Sequence, residues 1–323
     1  MKAAYYDIQG SAAEVLQVGE VETPSPGPGE VLIRLHASGC NPSDVKLRAG
    51  SRPMGVPRII PHSDGAGVIE AVGEGVPQTR LHTRVWVWNG QWQRSFGTCA
   101  EYITLPAEQA VALPDSTSFA EGACLGIPAM TACRAVFADG SVAGQKVLVS
   151  GGAGSVARYA IQMAKLDGAE VITTVSSEEK AAYARAAGAD HVFNYKEGNA
   201  GEQILDLTGG IHRAVELEFG ANADLLAEVM RPNGTIAAYG SAASPRPDIP
   251  FMPMMFKDLT LRMILVYILT PEARTDTLSR LNTMLGRGDL THAVAAEFAL
   301  KDTASAHELV ESAGKLGTVV VNV

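Results

Sequence analysis

The segment Val147-Leu148-Val149-Ser150-Gly151-Gly152-Ala153-Gly154-Ser155-Val156-Ala157 constrains this 323-residue chain more than any other. An apolar strand runs into a helix through a turn with small residues at three-residue intervals. Gly151 suits a tight turn, Gly154 lets a ligand approach the backbone, and Ala157 lets the helix pack closely on the strand. The N–H groups that open such a helix have no partner within it, and their dipoles favour a bound pyrophosphate. A glycine triplet alone also marks ordinary turns. Here strand, turn, helix and a second strand follow in the order of a dinucleotide-binding unit, which makes Gly151, Gly152, Ala153, Gly154, Ser155 and Val156 the candidate cradle.

The second strand refines the choice of dinucleotide. An NAD site usually carries an acidic residue at that strand's tip, to hold the ribose 2′-hydroxyl. This strand ends Thr173-Thr174-Val175-Ser176-Ser177 with no carboxylate, and Lys180 follows. Ser176 and Lys180 suit a 2′-phosphate, the ammonium supplying charge and the hydroxyl a hydrogen bond. Ser177 equally serves as a helix cap before a solvated turn of Glu178, Glu179 and Lys180, and the two readings are compatible. NADPH is therefore expected over NADH.

Around this unit the chain changes texture. Up to about residue 120 it reads as short strands broken by turns, such as Val31 to Leu35 and Gly67 to Val72, with a Pro/Gly loop at Pro24 to Gly29. From about residue 123, apolar strands alternate with helices. The pattern predicts strands at Lys146 to Ser150, Glu170 to Val175, His191 to Asn194, Arg213 to Glu216, Thr235 to Tyr239 and Leu261 to Val266. Helices are predicted at Ser155 to Leu166, Ser177 to Ala187 and Asn222 to Met230. Such alternation implies a parallel, doubly wound α/β sheet. After Pro271 a helix, a strand near Glu297 to Leu300, another helix and a strand at Thr318 to Val321 complete the chain.

Composition excludes some functions. A formal charge of −9 argues against nucleic acid as the main partner, because such binding needs clustered cations. No apolar run is long enough for a signal peptide or a membrane span, so a cytoplasmic protein without a membrane partner is expected. Cys40, Cys99, Cys124 and Cys133 lack CxxC spacing, which gives neither a disulfide framework nor a zinc knuckle. They read as reduced, mostly buried thiols.

Further stretches carry a family resemblance: Asn41-Pro42-Ser43-Asp44 with Arg48-Ala49-Gly50, His62-Ser63-Asp64-Gly65-Ala66-Gly67-Val68-Ile69-Glu70-Ala71-Val72-Gly73, Gly126-Ile127-Pro128-Ala129-Met130-Thr131-Ala132, and Gly188-Ala189-Asp190 with Asn194-Tyr195. Together with the glycine turn they resemble the quinone oxidoreductase (zeta-crystallin) branch of the medium-chain dehydrogenase/reductase superfamily, across essentially the whole chain. The resemblance implies a GroES-like β-barrel domain, residues 1–122 plus 270–323, around an inserted Rossmann domain, residues 123–269, with the active site between them. It also implies a homodimer, formed by edge pairing of the sixth Rossmann strand.

By the same resemblance Asn41, Asp44 and Thr131 line the nicotinamide and substrate site, with Thr131 a partner for the carboxamide. Tyr195 flanks the adenine, and Gly240 and Ser241 back the cofactor. Asp44 and Lys46 are the candidate proton donors. Against this, Asn41 and Asp44 flank Pro42 in a pattern that often only makes turns. Zinc-dependent relatives place a Cys where this chain has Asn41 and a His where it has Ser63; Asn41, Ser63 and Asp64 make no tetrahedral zinc set, so no metal is expected. Without a Lewis acid the substrate must accept hydride unaided, which points to a small electrophilic acceptor, a quinone or an α,β-unsaturated carbonyl.

Several positions depart from the family. Ser155 and Ala157 stand where relatives carry glycines, and Lys46 and Arg52 where they carry tyrosines that stack on a quinone. Lys46, Arg48 and Arg52 at a cleft mouth would attract an anionic acceptor, although such cations are more often solvated surface. Trp86, Trp88 and Trp92 read equally as a hydrophobic wall and as core, and Met252 to Phe256 as pocket, dimer contact or filling. NADPH-dependent quinone reduction is the leading function. Reduction of an enone or enal, a zinc-type alcohol dehydrogenase and a non-catalytic NADPH-binding protein are the alternatives.

Overall fold

The computed structural model describes residues 1–312 and 314–323, which form two compact units, Met1–Ile127 with His292–Val323 and Pro128–Thr291.

The first unit is built on a seven-stranded sheet. Val294–Ala299, Thr318–Asn322, Glu30–Cys40, Asp64–Val72, Arg84–Val87 and Ala110–Ala112 follow one another across it, and Tyr102–Pro106 adds to Glu30–Cys40. The long strand Glu30–Cys40 is its spine, pairing antiparallel with Asp64–Val72, Tyr102–Pro106 and Thr318–Asn322. Alternation explains its faces: Val31, Ile33 and Leu35 are buried while Arg34 is exposed. Irregularities between Leu32 and Ile33 and between Leu35 and Ala37 bend the strand, which lets the sheet curl around a core of Val31, Ile33, Ile69, Val85, Ile103 and Leu105. This is the GroES-like unit expected from the sequence. Trp86 and Trp88 are buried core residues, so of the two readings the core one holds for them; Trp92 is half-buried beneath the Arg52 guanidinium at 5.5 Å.

The second unit holds a six-stranded parallel sheet in the order His191–Asn194, Glu170–Val175, Lys146–Val149, Ile211–Glu216, Met230–Ala238, Thr260–Met263. The chain starts at the centre, winds outward through two strands, then returns to the other side of Lys146–Val149. The order reverses between Lys146–Val149 and Ile211–Glu216, the place where doubly wound sheets hold ligands at their carboxyl ends. Val147, Leu148 and Val149 are fully buried, as a strand covered by helices on both faces must be.

Helix Ser155–Leu166 and strands Glu170–Val175 and His191–Asn194 match their predicted spans. Other boundaries move. The helix predicted to run from Asn222 to Met230 spans Phe219–Val229, because Met230 opens the strand Met230–Ala238. Pro232, Asn233 and Gly234 look like a turn, yet a register shift opposite Ile211 and Arg213 absorbs them within that strand. The last strand is short, Thr260–Met263, and Val266 falls in a 3-10 turn.

The boundary expected at residues 269 and 270 falls later, at residues 291 and 292. Pro271 suggests a break between domains, but it is the first residue of helix Pro271–Arg287, where its missing N–H costs nothing, and Thr270 caps that helix. The helix packs within the second unit through Thr277, Leu281 and Leu285, with Arg280 stacked 5.0 Å over Phe137.

Candidate active site

In the second unit the predicted cradle is a tight turn whose first two glycines have neighbours where a side chain would begin. Gly151 lies at φ +66°, and a Cβ on it would sit 2.1 Å from Leu217 Cδ2. A Cβ on Gly152 would sit 2.2 Å from Thr173 Oγ1. Gly154 caps helix Ser155–Leu166 without a side-chain hydrogen bond, so no cap side chain occupies the first-turn amides. Ala153 and Ala157 are buried, while Ser155 and Val156 are half-buried on the first turn. The turn is braced from the neighbouring strand: Gly151 N donates to Thr174 Oγ1 at 3.3 Å and the Thr173 hydroxyl to Val149 O at 2.5 Å.

Ser177 caps helix Glu178–Ala186 by accepting from Lys180 N, and Lys180 Nζ donates to Ser176 Oγ at 3.1 Å. The capping role and the paired hydroxyl and ammonium therefore coexist. Tyr195 opens the short turn Tyr195–Glu197 after the edge strand and is 53% exposed. Gly240 follows Met230–Ala238, and a Cβ there would sit 2.2 Å from Leu217 O. The Ser241 hydroxyl is spent locally, accepting from Gly220 N at 2.9 Å and donating to Ser244 O at 2.6 Å.

Sequence reasoning missed Glu216, the fully buried last residue of Ile211–Glu216. Its carboxyl accepts from the Ser150 hydroxyl, Glu218 N and Asn222 Nδ2, and burial raises its pKa. It ties the end of the first Rossmann strand to the fourth. The acid after an apolar strand was visible in the sequence; its partners were not.

In the first unit, Asn41 precedes helix Pro42–Arg48, whose Pro42 suits the first helical position. Asn41 N donates to Asp44 Oδ2 at 2.8 Å, and Asn41 Nδ2 to Asp64 Oδ2 at 2.7 Å. Ile127 N donates to both Asp64 oxygens at 2.9 Å. Asn41 therefore links two buried carboxyls, and the turn role of the Asn-Pro pair is only part of what it does. Burial pushes the Asp44 carboxyl up to about 7 despite the opposing pull of the Asn41 N–H and Arg52. Asp64 is raised well above the usual carboxylate range, by burial first and by neighbouring Asp44 second.

Lys46 is exposed on that helix, two residues from Asp44 and so on a different face. Arg48 corrects the picture of a cationic mouth: it is 1% exposed, bonded to Gly10 O and paired with Glu311. Only Lys46 and Arg52 of the three cations reach solvent. Thr131 is buried in the first turn of Met130–Phe137, in the second unit, just after a π-helical stretch, Leu125–Ala129, that contains Pro128.

A zinc ion does not suit the Asn41 position. Its carboxamide is already donating to Asp64, and a carboxamide, the Ser63 hydroxyl and one carboxylate lack the thiolate or imidazole donors of a tetrahedral site. The dinucleotide cradle does fit, since helix Ser155–Leu166 opens at Gly154 with no cap side chain on its first-turn amides.

A GroES-like unit that carries an inserted parallel nucleotide-type sheet defines an oxidoreductase of the medium-chain dehydrogenase/reductase class. Residues 27–115 match the alcohol dehydrogenase GroES-like domain and residues 155–282 the zinc-binding dehydrogenase domain. The chain belongs to the quinone oxidoreductase family, being 32% identical over 317 residues to the quinone oxidoreductase of Rattus norvegicus, across 95% of this chain and 94% of the rat protein. A mycobacterial protein solved in complex with NADPH superposes with a TM-score of 0.89 at 28% identity, covering all of both chains. A 2-haloacrylate reductase gives 0.86 at 27% identity, over 100% of this chain and 99% of its own.

Proposed function

We propose that this protein is an NADPH-dependent quinone reductase that transfers hydride directly, without a metal. The observation that carries the reading is the Asn41, Asp44 and Asp64 set: at a position where zinc-dependent relatives keep a Cys, Asn41 donates instead to two buried carboxyls, of which Asp44 is held at a pKa of about 7.

When bound, NADPH supplies the hydride. The chain's residues do the rest. The Gly151 to Val156 turn admits the pyrophosphate, and the amides of helix Ser155–Leu166 face it. Lys180 and Ser176 hold the 2′-phosphate, Tyr195 flanks the adenine, and the backbone of Gly240 and Ser241 backs the dinucleotide. The Thr131 hydroxyl fixes the nicotinamide carboxamide. Asn41 holds Asp44 in place, and Asp44, protonated up to pH of about 7, gives its proton to the reduced acceptor's oxygen; solvent restores it. Lys46, exposed, contributes charge at most.

Similarity to a 2-haloacrylate reductase, and Lys46 and Arg52 in place of stacking aromatics, favour a second reading in which the same site reduces an activated C=C bond. A panel of quinones, enones and enals with NADPH and with NADH tests both. Quinone turnover that prefers NADPH is expected. Equal rates with NADH defeat the Lys180 and Ser176 assignment, turnover of enals alone selects the second reading, and tight NADPH binding without any turnover selects a binding protein.

The reading includes a cytoplasmic homodimer. Among the described residues no helix is long and apolar enough to cross a membrane. Thr260–Met263 is the open edge of its sheet, and Phe251, Phe256, Met263 and Ile268 around it are exposed apolar side chains. Sedimentation equilibrium should return twice the chain mass, and a monomer would refute it.

A further inference from the structure

Next to the Asn41 set, the first unit brings together Cys40, His62 and His307, all buried, with one ligand atom of each within 4.8 Å of the others. Cys40 ends strand Glu30–Cys40, His62 precedes strand Asp64–Val72, and His307 lies in helix Thr303–Glu311. The rings stack with centroids 5.1 Å apart, and the two Nε2 atoms meet at 2.9 Å.

Three observations mark the trio as more than filling. His62 is a non-glycine residue at φ +76°, a strained conformation that holds its ring in this direction. Ser38 Oγ meets His62 Nδ1 at 2.8 Å, the kind of outer contact that orients a ligating imidazole. His307 Nδ1 is buried with no hydrogen-bond partner, so the contact between the rings leaves a polar ring atom unspent. Burial disfavours the cationic form of both rings and the free thiolate of Cys40 alike, so the sulfur keeps its proton, and the two rings their mutual hydrogen bond, until a metal cation displaces them.

We propose that Cys40, His62 and His307 form a binding site for a cuprous ion, built from other side chains than the neighbouring Asn41, Asp44 and Asp64 set. One thiolate and two imidazoles are soft to borderline donors, suited to Cu(I) in trigonal geometry. Charge selects the same ion. A thiolate, two neutral imidazoles and Cu(I) sum to zero, whereas zinc would leave a buried net positive charge. Zinc also wants a fourth ligand, and no fourth His, Cys, Asp or Glu joins the cluster among the described residues. Binding forms the sulfur–copper bond as the Cys40 thiol gives its proton to solvent, with no change in oxidation state.

The test uses the full-length reduced protein, given Cu(I) from a chromophoric cuprous chelator without oxygen, then desalted and assayed for metal by mass spectrometry. One copper per chain and a raised thermal midpoint are expected. Cys40→Ser and His307→Gln should each lower retention about tenfold or more, while Cys99→Ser retains it. X-ray absorption on the wild-type protein, which needs no variant to fold, should report one sulfur and two nitrogens around copper. No retained copper, equal retention by Cys40→Ser, a different ligand set, or zinc outcompeting copper each overturns the proposal.

Discussion

The glycine turn of the second unit and the Asn41, Asp44 and Asp64 set of the first handle polarity in opposite ways. At the turn the useful groups are backbone amides, and side chains are kept out: a Cβ on Gly151 or Gly152 would lie 2.1 or 2.2 Å from a neighbouring atom. In the Asn41 set the Asn41 backbone N–H holds Asp44 at 2.8 Å and its carboxamide holds Asp64 at 2.7 Å, and the proposed chemistry rests on these buried side chains. The first design is vulnerable to added volume, the second to a changed proton inventory. Substitutions should therefore fail differently in the two places.

The largest effect is expected where volume enters the turn. Gly152→Val should raise the NADPH dissociation constant roughly 1000-fold, about 4 kcal/mol, in a fluorescence titration. Unchanged affinity would mean that the backbone is not the binding surface. Next comes Asp44→Asn, which keeps shape and removes the proton; turnover should fall about 100-fold, the range of a general acid. The direction with pH follows from the raised pKa: the acid is loaded below about 7 and lost above it, so wild-type turnover declines through that pH while Asp44→Asn stays flat. A sloping profile in the variant would move the proton elsewhere.

A smaller effect separates cofactors. Lys180→Ala should raise the KM for NADPH about tenfold, as for loss of one charge-assisted contact, and leave NADH unchanged. Equal losses with both would make Lys180 only part of its helix. Smallest of all, Lys46→Ala should change quinone turnover by less than about twofold, because its charge is solvated. A drop as large as that of Asp44→Asn would give Lys46 the proton-delivery role.

What was legible in the sequence follows the same division. The turn, its helix and the alternation of strands with helices depend on local spacing, and Ser155–Leu166, Glu170–Val175 and His191–Asn194 could be read directly. The domain boundary could not, since Pro271 starts a helix as readily as it separates domains, and only packing against Phe137 assigns that helix to the second unit. The side-chain site was legible as residue names without partners. Asp64 takes its hydrogen bonds from residues 23 and 63 positions away, and His62 meets His307 across 245 positions. Arg48 looked like surface in a polar loop until Glu311 appeared beside it. No periodicity encodes such pairings.

Leu217 follows strand Ile211–Glu216 and lies against the two glycines that follow the strands on either side of it, Gly151 and Gly240, and it makes their tolerances unequal. At Gly151 the obstacle is the tip of the Leu217 side chain, whereas at Gly240 it is the Leu217 carbonyl oxygen. A Leu217→Ala background should therefore recover part of the loss caused by Gly151→Ala, up to the strain of its left-handed backbone, and none of that caused by Gly240→Ala. Positions 151 and 217 form an epistatic pair that directed evolution would have to vary together, while position 240 is closed to compensation from any side chain.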